Sequence, residues 1–230
     1  MKVSEIFYSL QGEGKLVGVP SVFVRASGCN LRCTWCDTPY ASWDPEGEEM
    51  SVNDILRHVL PHCARHTVIT GGEPMIMPDI IDLCEFLREP GMQHITIETA
   101  ATVYKPVKVD LVSLSPKLSN STPWQREGGR FAEAHERQRI NVPVIQQFID
   151  NSPDFQLKFV VSDEGDMREI EQLLEKLKHW KETDVLLMPE GTTVEQLNSR
   201  AGWLSDICKR TRFRYCPRLH VELYGNTRGT

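Results

Sequence analysis

The chain has 230 residues, of which 40% are hydrophobic and 25% are charged, and its formal net charge at pH 7 is −6. This composition is that of a globular protein, for which one domain, residues 1–230, is expected, and it suggests neither a disordered chain nor a membrane protein. We expect a cytoplasmic protein with no membrane or nucleic-acid partner, because no apolar run approaches the roughly 18 residues of a membrane span, no signal-peptide pattern is present, and the acidic balance does not attract a nucleic-acid backbone.

Short β-rich runs alternate with helical patterns along the chain. Strands are predicted over residues 3–9, 21–26, 67–70, 94–98, 111–115, 156–161 and 185–188. Helices are predicted over residues 51–62, 78–88, 164–181 and 193–210. Such alternation predicts a parallel sheet with helical crossovers. Since a complete eight-unit barrel usually takes about 250 residues, we expect an α/β fold with an incomplete TIM-like barrel.

Local signals refine parts of this pattern. Ser51 and Asp54 are spaced as a helix-capping pair. The residues expected to face the core in two of the helices are Ile55, Leu56, Val59 and Leu60, and Ile170, Leu173, Leu174 and Leu177. Residues 118–140 are polar and carry two adjacent glycines and closely spaced opposite charges, which predicts a surface insertion or a mobile loop.

The seven cysteines are an odd number, which argues for reduced thiols and against a disulfide framework. Four of them are scattered and are predicted to be small buried hydrophobic residues: Cys63, Cys84, Cys208 and Cys216.

The other three, Cys29, Cys33 and Cys36, form a C-x3-C-x2-C run after strand 21–26. Three thiolates in one loop can hold three corners of a 4Fe-4S cube and leave one iron open for chemistry. Structural zinc prefers four ligands in two pairs, and no second pair follows. A redox C-x-x-C motif does not need Cys29. A zinc-stabilised binding module without catalysis remains the alternative from another functional class.

A second motif lies after strand 67–70, where Gly71 and Gly72 allow the backbone to approach a ligand and Glu73 and Pro74 follow. Together with the cysteine run, it resembles the radical S-adenosylmethionine superfamily. The resemblance implies a 4Fe-4S cluster and S-adenosylmethionine, whose reductive cleavage gives a 5′-deoxyadenosyl radical. It implies cofactor binding by Gly72, Glu73, Ser115, Pro116 and Lys117. Activases of glycyl-radical enzymes share both motifs and are an alternative.

Residues 7–14, Phe-Tyr-Ser-Leu-Gln-Gly-Glu-Gly, followed by Phe23-Val24-Arg25 and the cysteines, resemble the 7-carboxy-7-deazaguanine synthase family. The resemblance implies a carbon–nitrogen lyase that converts 6-carboxy-5,6,7,8-tetrahydropterin to 7-carboxy-7-deazaguanine with loss of ammonia, in queuosine biosynthesis. It also implies a homodimer and an electron donor of the flavodoxin or ferredoxin type.

The same resemblance assigns residues to the substrate and to a metal. Pterin contacts are implied for Leu10, Gln11, Gly12, Glu13, Arg25, Thr70, His220 and Thr230, and a Mg²⁺ ion at Thr38. Gln11, Glu13 and Thr70 suit the donor–acceptor edge of a pterin, and the planar guanidinium of Arg25 suits its carboxylate. Mg²⁺ prefers oxygen ligands, so a lone threonine needs the substrate to complete the shell. Glu13, Glu98 and His220 are candidates for moving protons.

Overall fold

The computed structural model describes residues 1–88 and 94–230. In these residues the chain forms a nine-stranded sheet in the order β3-β1-β2-β4-β5-β6-β7-β8-β9. The strands are β1 (Lys2–Leu10), β2 (Pro20–Ala26), β3 (Glu48–Glu49), β4 (His66–Gly71), β5 (His94–Thr99), β6 (Leu111–Leu114), β7 (Phe155–Val161), β8 (Val185–Pro189) and β9 (Arg214–Tyr215). The seven predicted strands are therefore confirmed to within one residue at each end.

The sheet is mostly parallel and open. Pairing is parallel from β2 through β4 to β9, whereas β1 runs antiparallel to both β2 and β3. Because β3 and β9 end the sheet on opposite sides, it does not close on itself. The prediction of an incomplete parallel barrel is confirmed.

The helices are α1 (Pro39–Ser42), α2 (Val52–Val59), α3 (Ile80–Arg88), α4 (Ala132–Gln138), α5 (Val142–Asn151), α6 (Asp166–Leu174), α7 (Val194–Thr211) and, after the last strand, α8 (Leu219–Tyr224). Sequence analysis identified α2, α3, α6 and α7 and missed the other four. The predicted extension of α6 to residue 181 is wrong, because His179 is left-handed and the Trp180 indole donates to the carbonyls of Leu174 and Leu177. In the described residues, none of these helices is long and apolar enough to cross a bilayer.

The core lies between the parallel strands and the helices, and most predicted buried residues are found there. Ser51 and Asp54 form the expected capping box at the start of α2, which buries Ile55 and Val59 and half-buries Leu56. Leu60 is exposed, contrary to expectation, because α2 ends at Val59 and a 3-10 turn follows. The predicted core face of α6 and the turn after it is confirmed, with all of Ile170, Leu173, Leu174 and Leu177 buried.

Two further sequence-based predictions fail in part. Cys84, Cys208 and Cys216 are buried as expected, but Cys63 is exposed at the left-handed end of a 3-10 turn, with φ 50°. Residues 118–140 are not a simple surface loop. They include α4 and two 3-10 turns, Ser119–Ser121 and Arg126–Gly129, and they bury Leu118, Ser121, Ala132 and His135.

Candidate active site

A cavity of about 610 Å³ opens at the carboxyl ends of the parallel strands, a volume suited to a small organic ligand. Nearly all of the predicted site residues line it: Leu10, Gln11, Gly12, Glu13, Arg25, Cys29, Cys33, Cys36, Thr38, Thr70, Gly72, Ser115, Lys117, His220 and Thr230. Glu73 and Pro116 do not. Strand ends that are distant in sequence are thus brought to one site, as expected for parallel strands.

The three cysteines of the run lie on one wall of this cavity. The backbone N–H of Leu31 donates to Cys29 Sγ at 3.3 Å, and Ser42 Oγ lies 3.1 Å from Cys36 Sγ. Burial raises the pKa of Cys29 and of Cys33 to about 12, so a bound iron is needed to deprotonate them. Three thiols with hydrogen-bond donors nearby fit an iron–sulfur cluster.

A single zinc ion and a 4Fe-4S cube need different arrangements of cysteine ligands. Across residues 1–88 and 94–230, no three His, Cys, Asp or Glu side chains are grouped to hold one metal ion. A cube needs one cysteine at each of three different irons, so its cysteine sulfurs lie further apart than ligands of one zinc ion. The three cysteines, Cys29, Cys33 and Cys36, match in number the three protein-held irons of such a cube.

The turn after β4 packs directly against the cysteine loop. Gly72 N donates to Ala26 O at 3.0 Å, and Glu73 N donates to Gly28 O at 2.9 Å. A Cβ atom at Gly72 would overlap the carbonyl oxygens of Gly28 and Ala41. Glycine at this position is therefore required for the close approach of the two backbones.

Glu73 is buried and is not part of the cavity lining, which corrects its assignment to cofactor binding. It is fully buried, and its carboxylate accepts hydrogen bonds from Thr99 Oγ1 at 2.7 Å, Ala100 N at 2.8 Å and Met75 N at 3.0 Å. Because these donors engage both oxygens of the carboxylate, the Glu73 side chain stabilises the turn after β4 from the protein interior. Burial raises its pKa.

Pro116 is also buried outside the cavity, so it makes no contact there. Its neighbours do line the wall: Lys117 Nζ donates to the carbonyl oxygen and the hydroxyl of Ser115 at 2.6 and 2.8 Å. An ammonium held in this way offers positive charge to a ligand beside the cysteines.

Glu98, which was not among the predicted binding residues, orients Gln11 and Thr70, which were. Gln11 Nε2 donates to Glu98 Oε1 at 3.1 Å, and Thr70 Oγ1 donates to Glu98 Oε2 at 2.9 Å. Gln11 Oε1 accepts from Glu13 N at 3.2 Å. These contacts fix which way the amide of Gln11 faces, so the polar edge offered to a ligand is already in place.

Arg25 lies in β2, opposite Glu5 of β1, and its charge is partly satisfied by that carboxylate. Glu5 Oε1 accepts from its Nε at 2.5 Å and also from Tyr40 Oη at 2.9 Å. In the described part of the chain, the bond from Nε to Glu5 is the only side-chain hydrogen bond of Arg25, so the two terminal nitrogens of its guanidinium remain available for a carboxylate. The guanidinium also stacks over Phe7, 5.6 Å from the ring centroid.

Four charged side chains that line the cavity form a chain of alternating sign, in which Lys158 and Arg218 are buried and Asp37 is partly exposed. Lys158 donates to Glu13, Arg218 donates to Glu13 at 3.0 Å, and Arg218 also donates to Asp37 and to the carbonyl of Gly191. The two cations hold the pKa of Glu13 well below its usual range despite burial. Arg218 likewise lowers the pKa of Asp37.

Sequence reasoning missed Lys158 and Arg218. For Lys158 a signal existed, since it is the one charged residue in the strand Phe155–Val161, whose other residues are apolar apart from Gln156. A lysine inside a buried strand has to find an anionic partner. Arg218 carries no comparable local signal.

The end of the chain returns to the cavity. Leu219 N donates to Gly12 O at 2.9 Å, and a Cβ atom on Gly12 would overlap the ring of His220. Arg228 pairs with Glu46 at 2.8 Å and with Glu5 at 3.4 Å, and these ion pairs attach the C-terminal segment to the rest of the protein. Thr230, two residues further on, lies at the cavity wall. Burial lowers the pKa of His220.

Thr38 provides the hydroxyl that was assigned to Mg²⁺. It lines the cavity, 3.8 Å from Cys36 Sγ, whereas the neighbouring carboxylate of Asp37 is engaged by Arg218. The protein thus offers a Mg²⁺ ion one free hydroxyl here, which fits only if water and the substrate supply the other ligands.

Comparison with known proteins agrees with this geometry. Residues 23–119 match the family model described as "Radical SAM superfamily". A 7-carboxy-7-deazaguanine synthase of Rhodopirellula baltica is 44% identical over 228 residues, covering 99% of this chain and 88% of the relative. One from Halobacterium salinarum is 44% identical over 236 residues, covering 98% and 91%.

The fold is similar to the crystal structure of QueE from Escherichia coli, with a TM-score of 0.69 and 25% sequence identity over 95% of this chain and 94% of that one. These comparisons favour neither a glycyl-radical activase nor a zinc-binding module. The chain belongs to the 7-carboxy-7-deazaguanine synthase family of radical S-adenosylmethionine enzymes.

Proposed function

We propose that this chain converts 6-carboxy-5,6,7,8-tetrahydropterin to 7-carboxy-7-deazaguanine with loss of ammonia, as a carbon–nitrogen lyase of queuosine biosynthesis. The observation that carries the proposal is one cavity lined both by the three cysteines and by the hydrogen-bonded polar set of Gln11, Thr70 and Glu98. The names of the relatives support it.

Family membership gives the chain a 4Fe-4S cluster and S-adenosylmethionine, which together supply a 5′-deoxyadenosyl radical when bound. Cys29, Cys33 and Cys36 would hold the cluster. Gly72 provides the close backbone approach, and Ser115 with Lys117 provides a polar and positively charged surface for the cofactor. The protein's own task is to orient both ligands and to exclude water between them.

The polar wall would hold the pterin. Gln11 and Thr70, held by Glu98, face its donor–acceptor edge, and the free terminal nitrogens of Arg25 receive its carboxylate as a planar fork. Arg25 keeps its charge because a guanidinium does not deprotonate in this pH range. A Mg²⁺ ion at Thr38 would share that carboxylate.

Glu13 and His220 differ in what they can do with protons. Lys158 and Arg218 hold Glu13 ionised, so it can accept hydrogen bonds from ring N–H groups but is a poor proton donor at neutral pH. His220 is neutral because burial lowers its pKa, so its ring can accept a proton. We assign Glu13 to binding and His220 to proton movement as ammonia leaves.

We further propose that residues 1–230 form one radical S-adenosylmethionine domain that acts as a cytoplasmic homodimer. All seven cysteines are free thiols, which agrees with a reducing compartment. A one-electron donor of the flavodoxin or ferredoxin type would supply the electron that cofactor cleavage requires.

The test is to incubate the reconstituted, reduced enzyme anaerobically with S-adenosylmethionine, Mg²⁺ and 6-carboxy-5,6,7,8-tetrahydropterin. We expect a deazaguanine product with no net consumption of S-adenosylmethionine. Cys33→Ala should abolish iron incorporation and turnover, whereas Cys63→Ala at the exposed cysteine should change neither. Stoichiometric cofactor consumption without that product would contradict the proposal.

A further inference from the structure

Residues 118–140 make contacts with the cysteine loop, residues 29–36, that the reaction described above does not use. Thr34 N donates to Ser121 O at 2.8 Å, and Trp35 Nε1 donates to Asn120 Oδ1 at 3.1 Å. Arg126 donates from the other side to Thr34 O at 3.1 Å. The segment therefore grips the part of the loop between the second and third cysteines.

The most buried of these contacts is made by His135, which is 1% exposed. Its Nδ1 accepts from the backbone N–H of Arg32 at 3.0 Å, directly before Cys33. Ser121 Oγ donates its only proton to Leu118 O at 2.6 Å, so it must accept from His135 Nε2, which lies 2.8 Å away. This network assigns the ring proton to Nε2 and leaves Nδ1 as an acceptor for the loop.

The segment is itself fixed to the sheet. Asn120 Nδ2 donates to Asp166 Oδ2 at 2.7 Å, at the start of α6, and to Val160 O in β7 at 3.2 Å. At its other end, Arg139 pairs with Glu169 of α6. Loop contacts made through Asn120 and His135 are therefore backed by regular secondary structure rather than by another mobile loop.

We propose that residues 118–140 are a clamp that holds the cysteine loop in its cluster-binding shape, with His135 as its central positioning residue. The loop contains no helix or strand, so its own backbone hydrogen bonds do little to fix the three thiols. A cluster tethered at three irons instead of four depends more on a preorganised loop, because ordering the loop otherwise opposes binding. The inference rests on the proposed function only in requiring an iron–sulfur cluster at these cysteines.

The test measures how fast a ferrous chelator removes iron from anaerobically reconstituted protein, together with the electron paramagnetic resonance signal of the reduced cluster. His135→Phe keeps a ring of similar size but leaves the Arg32 N–H without an acceptor. We expect iron loss about tenfold faster, since an unpaired buried donor is costly. His135→Asn places an oxygen near the position of Nδ1 and should restore most of the slow release and the native signal.

Arg137→Gln is the matched control, because Arg137 lies on the same helix, is exposed, and pairs with Glu133 at 3.7 Å on the helix surface. It should release iron at the wild-type rate. Trp35→Phe removes the contact with Asn120 from the loop side, and it keeps the test decisive if His135→Phe does not fold. It should also accelerate iron loss.

Several outcomes would overturn the clamp. One is a folded His135→Phe variant that releases iron at the wild-type rate. Another is a His135→Asn variant that releases iron as fast as His135→Phe, because lost packing would then explain the faster release. If His135→Phe does not fold, the clamp would be overturned by a Trp35→Phe variant that releases iron at the wild-type rate. Wild-type protein that binds no iron would instead refute the proposed function, so the two failures are distinguishable.

Discussion

The two walls of the active-site cavity are held together in different ways. On the cofactor side, the turn after β4 meets the residues that lead into the cysteine loop through backbone hydrogen bonds, Gly72 N to Ala26 O at 3.0 Å and Glu73 N to Gly28 O at 2.9 Å. On the substrate side, the wall is built from buried charges on distant segments, including Glu13 with Lys158 and Arg218.

This difference determines what each wall tolerates. Backbone contacts depend on residue type mainly where a side chain would intrude, so the cofactor wall is sensitive to added volume. A buried ion-pair network becomes strongly unfavourable when one member is removed, because the partners keep their charge without compensation. The substrate wall is therefore sensitive to charge.

The largest effect is expected at Arg218, whose side chain is 6% exposed and contacts two carboxylates and a carbonyl. Arg218→Met keeps much of the volume but leaves Glu13 and Asp37 undercompensated. We expect a loss of about 3–5 kcal/mol in the free energy of unfolding, measured by anaerobic urea titration. The KM for the pterin should also rise, because Glu13 lines its site.

The control for this variant is Arg210→Met, at the exposed end of α7, which should change the free energy of unfolding by less than about 0.5 kcal/mol. If Arg218→Met cost less than about 1 kcal/mol, the level of an exposed ion pair, the substrate wall would not depend on charge in the way described.

Gly72→Ala tests the opposite wall by adding one methyl group. Its Cβ would overlap two backbone oxygens, of Gly28 and Ala41, which cannot rotate away. We expect a loss of about 1–3 kcal/mol in the free energy of unfolding, and reduced iron content after reconstitution. Gly202→Ala is the matched control, since nothing lies within 4 Å of its Cβ position in α7, and it should stabilise by about 0.5–1 kcal/mol. Equal behaviour of the two variants would contradict the packing argument.

Glu98→Gln separates orientation from charge on the substrate wall. It keeps the size of the side chain but replaces one oxygen that accepts from Gln11 or Thr70. We expect a cost of about 1–2 kcal/mol in pterin binding, seen as a rise of about tenfold in KM with a smaller change in kcat. Glu85→Gln, at an exposed pair with Lys108, should alter neither constant. A fall in kcat alone would instead assign Glu98 to proton movement.

The same contrast explains what could be predicted from the sequence. The cysteines, Gly72 and the strand ends were accessible because their signals are local: fixed spacing, a glycine pair after a strand, and β-rich runs. The partners of Glu13 were not, since Lys158 and Arg218 lie 145 and 205 residues away. Nothing short of the fold brings them together.

Errors in the prediction follow the same logic. Glu73 was assigned to the cofactor from its motif, but a motif does not reveal which way a side chain points, and three internal donors turn it inward. Residues 118–140 looked like a loop because their polar residues satisfy buried contacts with the cysteine loop instead of facing water.

The smallest predicted effect concerns pH, where the two buried glutamates should act in opposite directions. The pKa of Glu13 is lowered by its cations, so its ionisation contributes stability above the ordinary value of 4.5, and that contribution is lost as pH falls below it. The pKa of Glu73 is raised by burial, so its contribution is present at low pH and is lost as pH rises through the raised value.

Unfolding of iron-free protein between about pH 7 and pH 4 would separate them. Glu13→Gln should flatten the loss of stability toward acid by about 1 kcal/mol over this range, and Glu73→Gln should steepen that loss. The two substitutions are chemically identical and both sites are buried, so only the surroundings differ. If both variants changed the slope in the same direction, the cations around Glu13 would not be what distinguishes the substrate wall from the cofactor wall.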